Sequence, residues 1–191
     1  MPNHLNQVLI MLFNNETEFQ QLPLLVVVMG VSGCGKSTLA QEIANYLTIT
    51  FLDADSFHSK EAIKKMSQGI PLTDEQRAPW IARICKKLRD LEVQNKCCVL
   101  AYSGLKQQHR RLIFGSYRRT VGVFLDTDPV LIAQRLGKRG GHFMSPQLLS
   151  SQLASLEAIN EGAIENIELL TLSAEESVTN LLLKSIEFIT H

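Results

Sequence analysis

No charge of one sign dominates this sequence. Its 191 residues hold 19 Lys and Arg against 19 Asp and Glu, so it lacks the positive excess that draws a protein onto nucleic acid or an anionic membrane surface. A metal-type cysteine pattern is also missing. Cys34, Cys85, Cys97 and Cys98 show neither Cys-x-x-Cys spacing nor a neighbouring histidine in a zinc arrangement, and a chain of this size needs no disulfide staples. A reducing cytosol is the expected setting. Long apolar runs are absent as well: Val8–Phe13 and Leu24–Met29 are six residues each, against the roughly 20 that a helix needs to cross a bilayer. No Lys or Arg precedes the first run and no small-residue cleavage site follows it, so the secretory-signal pattern is not met. The composition therefore predicts a cytoplasmic protein with neither a nucleic-acid nor a membrane partner. With no internal repeat or low-complexity tract, residues 1–22 read as an N-terminal extension and residues 23–191 as one domain, long enough to bury its own core.

What is present alternates. Apolar runs of strand length recur at Leu24–Met29, Ile49–Leu52, Cys97–Tyr102, Val121–Leu125 and Glu168–Leu172, with helix-period stretches between most of them. Parallel strands need crossovers and are covered on both faces, so this order predicts an α/β fold, a five-stranded parallel sheet flanked by helices in three layers. Helix starts agree: Thr73 and Gln76 have capping-box spacing, Ser145 precedes Pro146, and Asp128 precedes Pro129. The basic, glycine-rich stretch Gly137-Lys138-Arg139-Gly140-Gly141 is a candidate mobile lid, about residues 137–146.

Gly30-Val31-Ser32-Gly33-Cys34-Gly35-Lys36-Ser37 fits the G-x-x-x-x-G-K-S/T phosphate-binding loop, and it stands between a buried-type strand and a helix-forming run from Thr38 to Leu47, the context the motif requires. Its backbone N–H groups and the helix N-terminus suit a phosphate. Lys36 is expected to bridge the β- and γ-phosphates and the Ser37 hydroxyl to ligate Mg²⁺, so the chain is predicted to bind ATP. The nucleotide set is Gly30, Ser32, Gly33, Cys34, Gly35, Lys36, Ser37 and Thr38, with Cys34 as a small side chain of the loop rather than a redox group.

Asp53 and Asp55 end the second strand, where alternation sends both side chains to one side if the chain stays extended. One carboxylate suits a metal and the other a proton acceptor for an attacking hydroxyl. The competing reading is a pair of aspartates closing a turn through their own backbone.

The stretch Phe51 to His58, then Lys65 to Trp80 with its Pro71-Leu72-Thr73-Asp74-Glu75-Gln76-Arg77, then Ser103-Gly104-Leu105-Lys106 with Arg110, and Gly141 to Met144 leading to Gln152 and Glu157, resembles the gluconokinase family. The matches cover most of residues 24–157 in family order. The resemblance implies transfer of the ATP γ-phosphate to the 6-hydroxyl of D-gluconate, a fold similar to shikimate kinase, and a homodimer. It gives Asp53 to the metal and Asp55 to the base.

A polyhydroxy acid needs cationic and polar partners. The candidates are Asp55, His58, Arg77, Lys106, Arg110 and His142. Arg77 reads either as a site residue or as a solvated residue at a helix start, Trp80 as core or substrate wall, and His142 as a ligand contact or a lid packing residue. Lys106 and Arg110, four apart on a predicted helix, are expected on one face beyond the third strand. Arg135 and Arg139 flank the lid, Arg135 for the nucleotide and Arg139 for catalysis.

Some positions depart from the family pattern. Ala54 stands where a glycine is usual, Ser56 replaces a carboxylate, and Arg111 turns an acidic position basic. Two alternatives stay open on these grounds: a P-loop kinase for another small hydroxy acid, and a nucleotide-binding regulatory protein without turnover. No Asn-Lys-x-Asp guanine-reading motif follows the loop, which disfavours a GTPase.

Overall fold

The computed structural model describes residues 22–128, 130, 132, 146–159 and 167–190. Strand β1 (Leu24–Met29) is buried along its whole length. Its run of Leu and Val suits a central strand covered on both faces. It leads through the phosphate-loop sequence into helix α1 (Lys36–Leu47), then β2 (Thr50–Asp53), a short 3₁₀ turn (Ala54–Phe57), α2 (Lys60–Ser67), α3 (Asp74–Val93), β3 (Cys98–Tyr102), α4 (Gln107–Phe114), β4 (Arg119–Asp126), α5 (Pro146–Ser155), β5 (Glu168–Ser173) and α6 (Val178–Thr190).

All four strand pairings are parallel, in the order β2-β3-β1-β4-β5. The chain leaves β1 to one side for β2 and β3 and to the other for β4 and β5, so the carboxyl end of β1 is the switch point where an open α/β sheet binds its ligand. The alternation along β1 sorts the core into two layers. Val26 and Val28 pack with Leu39 and Ile43 of α1 and Leu181 and Ile189 of α6. Leu25, Val27 and Met29 face the other way, onto Trp80, Ile84 and Leu88 of α3 and Ile113 of α4. A smaller apolar cluster of Val31, Leu105, Ile132 and Leu149 joins the loop after β1, the loop after β3 and α5.

The five-stranded parallel sheet and its helical layers match the α/β expectation, with six α-helices among the described residues. The capping box is present: Gln76 N–H donates to the Thr73 hydroxyl at 3.3 Å and Thr73 N–H to the Gln76 side chain at 3.2 Å. Asp128 caps as anticipated, accepting from Val130 N–H at 2.7 Å. The fifth apolar run extends slightly further than its sequence bounds, since β5 pairs with β4 through Ser173. The N-terminal extension up to residue 21 and most of the candidate lid, with Ser145, lie outside the described residues.

Candidate active site

The loop after β1 is shaped by glycine. Gly30 has φ +142°, and a Cβ there would sit 2.7 Å from the Cys34 sulfur and 2.8 Å from the Leu125 carbonyl oxygen. Gly35 holds a left-handed φ of 106° as the N-cap of α1, with no side chain capping the helix. First-turn N–H groups of a helix have no partner within the helix, and here they border the loop where a phosphate would be met. Lys36 folds back to donate to the Val31 carbonyl at 2.8 Å. Ser32 N–H donates to the Gln152 side-chain oxygen at 2.7 Å, tying α5 to the loop.

The two aspartates do not continue an extended strand. β2 stops at Asp53, whose Oδ1 accepts from Asp55 N–H at 3.0 Å and so opens the 3₁₀ turn. Its other oxygen accepts from the Ser37 hydroxyl at 2.9 Å. Closing the turn therefore does not occupy Asp53 completely: one oxygen serves the turn and the other meets Ser37 at the start of α1. Asp55 reaches the crevice wall from within the turn. Ala54 needs no glycine-like conformation, since Thr48 and Asn95 are the positive-φ non-glycine residues among those described. It is buried, and its carbonyl accepts from the Trp80 indole N–H at 2.7 Å.

A solvent-open crevice is lined by Ser32, Lys36, Asp55, His58, Arg77 and Trp80, together with Ser103, Leu105, Ser151 and Gln152. Trp80 is 4% exposed and yet borders the crevice, so it serves as both core and wall. His58 stacks on it, ring centroids 4.3 Å apart and planes 13° from parallel. Burial, then the charges of Arg83 and Arg77, push the His58 pKa down to about 4. Its Nδ1 is buried without a hydrogen-bond partner. A neutral imidazole with an unmet nitrogen in a polar crevice is suited to a hydroxyl rather than a carboxylate.

Arg77 donates to Asp74 Oδ1 at 3.0 Å and Lys106 to Asp74 Oδ2 at 2.5 Å. Asp74 carries no signal of its own in composition. The capping box, however, places it at the first helical position, three residues before Arg77, where an i,i+3 pair forms.

Lys106 and Arg110 do not share one helical face as expected. Lys106 is the extended N-cap of α4, and Arg110 is 1% exposed. Its guanidinium donates to the carbonyls of Gly104 and Leu105 at 2.7 and 3.1 Å, and of Glu157 and Ala158 at 3.3 and 2.7 Å. The planar fork is satisfied by backbone on both sides, so Arg110 joins the loop after β3 to the segment after α5 and is not on the crevice wall. Arg135, Arg139 and His142 lie outside the described residues.

The arrangement places a phosphate-loop sequence beside a carboxylate, a neutral imidazole and an arginine in one crevice, a set of groups suited to phosphoryl transfer to a small acid. Comparison with known proteins gives the same direction. An "AAA domain" family model matches residues 25–159. A gluconokinase of Gluconobacter oxydans is 42% identical over 143 residues, covering 75% of this chain and 80% of that one. Among solved structures, a sugar kinase from Janibacter has a TM-score of 0.81 at 34% identity, covering 87% of this chain and 94% of its own. A gluconokinase from Sinorhizobium meliloti has a TM-score of 0.72 at 31% identity, covering 89% and 99%. A shikimate kinase from Acinetobacter baumannii, 21% identical with a TM-score of 0.57 and covering 88% and 93%, shares the fold alone. With likeness this extensive in both sequence and structure, the chain belongs to the gluconokinase family.

Proposed function

We propose that this protein transfers the γ-phosphoryl group of ATP to the 6-hydroxyl of D-gluconate, giving 6-phospho-D-gluconate and ADP. The observation that carries the reading is the crevice in which Ser32 and Lys36 of the phosphate loop meet Asp55, His58 and Arg77. The gluconokinase names of its relatives supply the acceptor.

In this reading the loop N–H groups from Gly30 to Thr38 hold the phosphates and Lys36 leaves Val31 to meet the β- and γ-oxygens. Asp55 accepts the proton of the 6-hydroxyl as its oxygen bonds to phosphorus and the bond to the ADP oxygen breaks. His58 reads a hydroxyl, and Arg77 and Lys106 face the acid group. Ser37 and Asp53 would hold Mg²⁺: two hard oxygen donors already side by side fit an ion that takes the rest of its shell from phosphate and water. Bound there, the ion supplies charge neutralisation on the phosphate oxygens. From sequence, Arg135 is assigned to the nucleotide, Arg139 to the transferred group and His142 to the acceptor. The working form under this reading is a cytoplasmic homodimer, which light scattering of the purified protein tests.

Asp55→Asn keeps the size of the side chain and removes the proton acceptor. Turnover is expected to fall by roughly 100- to 10,000-fold while ATP affinity by calorimetry stays unchanged. Wild-type turnover in this variant would remove Asp55 from the mechanism.

A further inference from the structure

We infer that Asp74 is a positioning residue for the acceptor's acid group, building one anion subsite out of two cations from separate elements. The inference rests on the acceptor reading above and adds a residue to it. Asp74 is the first residue of α3, fixed there by the Thr73–Gln76 capping box. Its two oxygens divide between Arg77, one turn along the same helix, and Lys106, the N-cap of α4 thirty-two residues away in sequence. These two bonds link the start of α3 to the loop after β3 at the mouth of the crevice. Arg77 lines both the crevice and an adjoining depression that Asp74, Lys106, Ser151 and Ser155 share.

The chemistry follows from donor count. Two cations stand beside the carboxylates of Asp74 and Glu75 in this depression, so an acid group there is held by directed N–H donors rather than by net charge. The bond to Asp74 uses one of the five N–H donors of Arg77 and one of the three of Lys106, leaving each able to hold a second carboxylate. Without Asp74, both cations sit on long stems with several rotamers, and the acceptor would have to order them itself when it binds. A carboxylate already in place removes that cost. The neighbouring cations hold the Asp74 pKa below its ordinary value, with the Lys106 hydrogen bond the largest cause, so the group stays ionised at neutral pH.

The test is initial-rate kinetics of the full chain with D-gluconate and Mg-ATP, for wild type, Asp74→Asn and Asp74→Glu, with melting temperatures measured in parallel. Asp74→Asn should raise the gluconate KM at least tenfold, with kcat within about threefold of wild type, the ATP KM unchanged and the fold intact. Asp74→Glu, which restores a carboxylate, should recover most of the affinity. An unchanged or lowered gluconate KM in Asp74→Asn overturns the assignment, and so does an equal rise in the ATP KM, which marks a general structural role. Wild-type protein that releases no ADP with gluconate overturns the acceptor reading, and this assignment with it.

Discussion

His58 shows how much of the site is decided by the surroundings of one side chain. Its imidazole is stacked on Trp80 and kept neutral by burial with two arginines nearby. The folded-state pKa of about 4 lies below the ordinary 6.5, so between those values the unfolded chain binds more protons than the folded one. The stability associated with neutral His58 is therefore complete above pH 6.5 and declines as pH falls toward 4. His109 is shifted in the same direction, chiefly by desolvation, and adds to the effect. The depressed carboxylates Asp74 and Glu61 act in a lower window, their stabilisation being lost below their ordinary values of 3.8 and 4.5. Melting temperature followed from pH 7 to pH 4.5 should fall in wild type, with part of that fall missing in His58→Asn. Identical slopes in the two proteins would mean that His58 takes up its proton in the fold just as it does in the unfolded chain. The dual use of Asp53, one oxygen for the turn and one for Ser37, belongs to the same scale. A sequence offers both readings of an aspartate after a strand, and only the turn's direction shows that they are compatible.

At the scale of elements, the phosphate loop and the Arg110 clamp make opposite demands on the chain. The loop needs the absence of a side chain: at Gly30 even a methyl group would meet Cys34 and the Leu125 carbonyl at under 3 Å. Gly30→Ala should therefore displace the loop and weaken ATP binding roughly tenfold or more, since backbone strain of about 1–3 kcal/mol must be met or relieved there. Calorimetric titration with ATP checks this, and wild-type affinity would show that the loop gives way easily. The clamp needs a particular side chain. Arg110→Ala strands the buried carbonyls of Gly104 and Leu105 and releases the exposed Glu157–Ala158 segment, and should cost roughly 1–3 kcal/mol of stability, seen as a lowered melting temperature that Arg110→Lys does not restore, because an ammonium cannot fork between two segments. An unchanged melting temperature with a raised gluconate KM would instead return Arg110 to the acceptor. The phosphate loop was legible in the sequence because its spacing and its strand-to-helix setting are local. The Arg110 contacts were not, because the Glu157 and Ala158 carbonyls lie 47 and 48 residues away and only the fold brings them near. A four-residue spacing placed Arg110 beside Lys106. It did not show that the helix begins between them.

For the molecule as a whole, the sheet could be read in advance because apolar runs of strand length alternate with helix-period stretches, most clearly in β1 and β3, which are buried along their whole length. Strand order could not, since it depends on which crossover goes to which side of β1. That order nevertheless governs function, because it gathers the carboxyl ends of β1, β2 and β3, and with them Lys36, Asp55 and Ser103, around one crevice. The cations proposed to read the acceptor come from α3 and the loop after β3, and the sequence identified Arg77 and Lys106 without the carboxylate that joins them. The most direct measurement is coupled ADP release with Mg-ATP against D-gluconate, L-idonate, shikimate and glycerate, with a no-acceptor control. The account predicts stimulation by gluconate above the other acceptors, with phosphogluconate confirmed by mass. Stimulation by another acceptor in its place, or ATP binding with no stimulation at all, would contradict it.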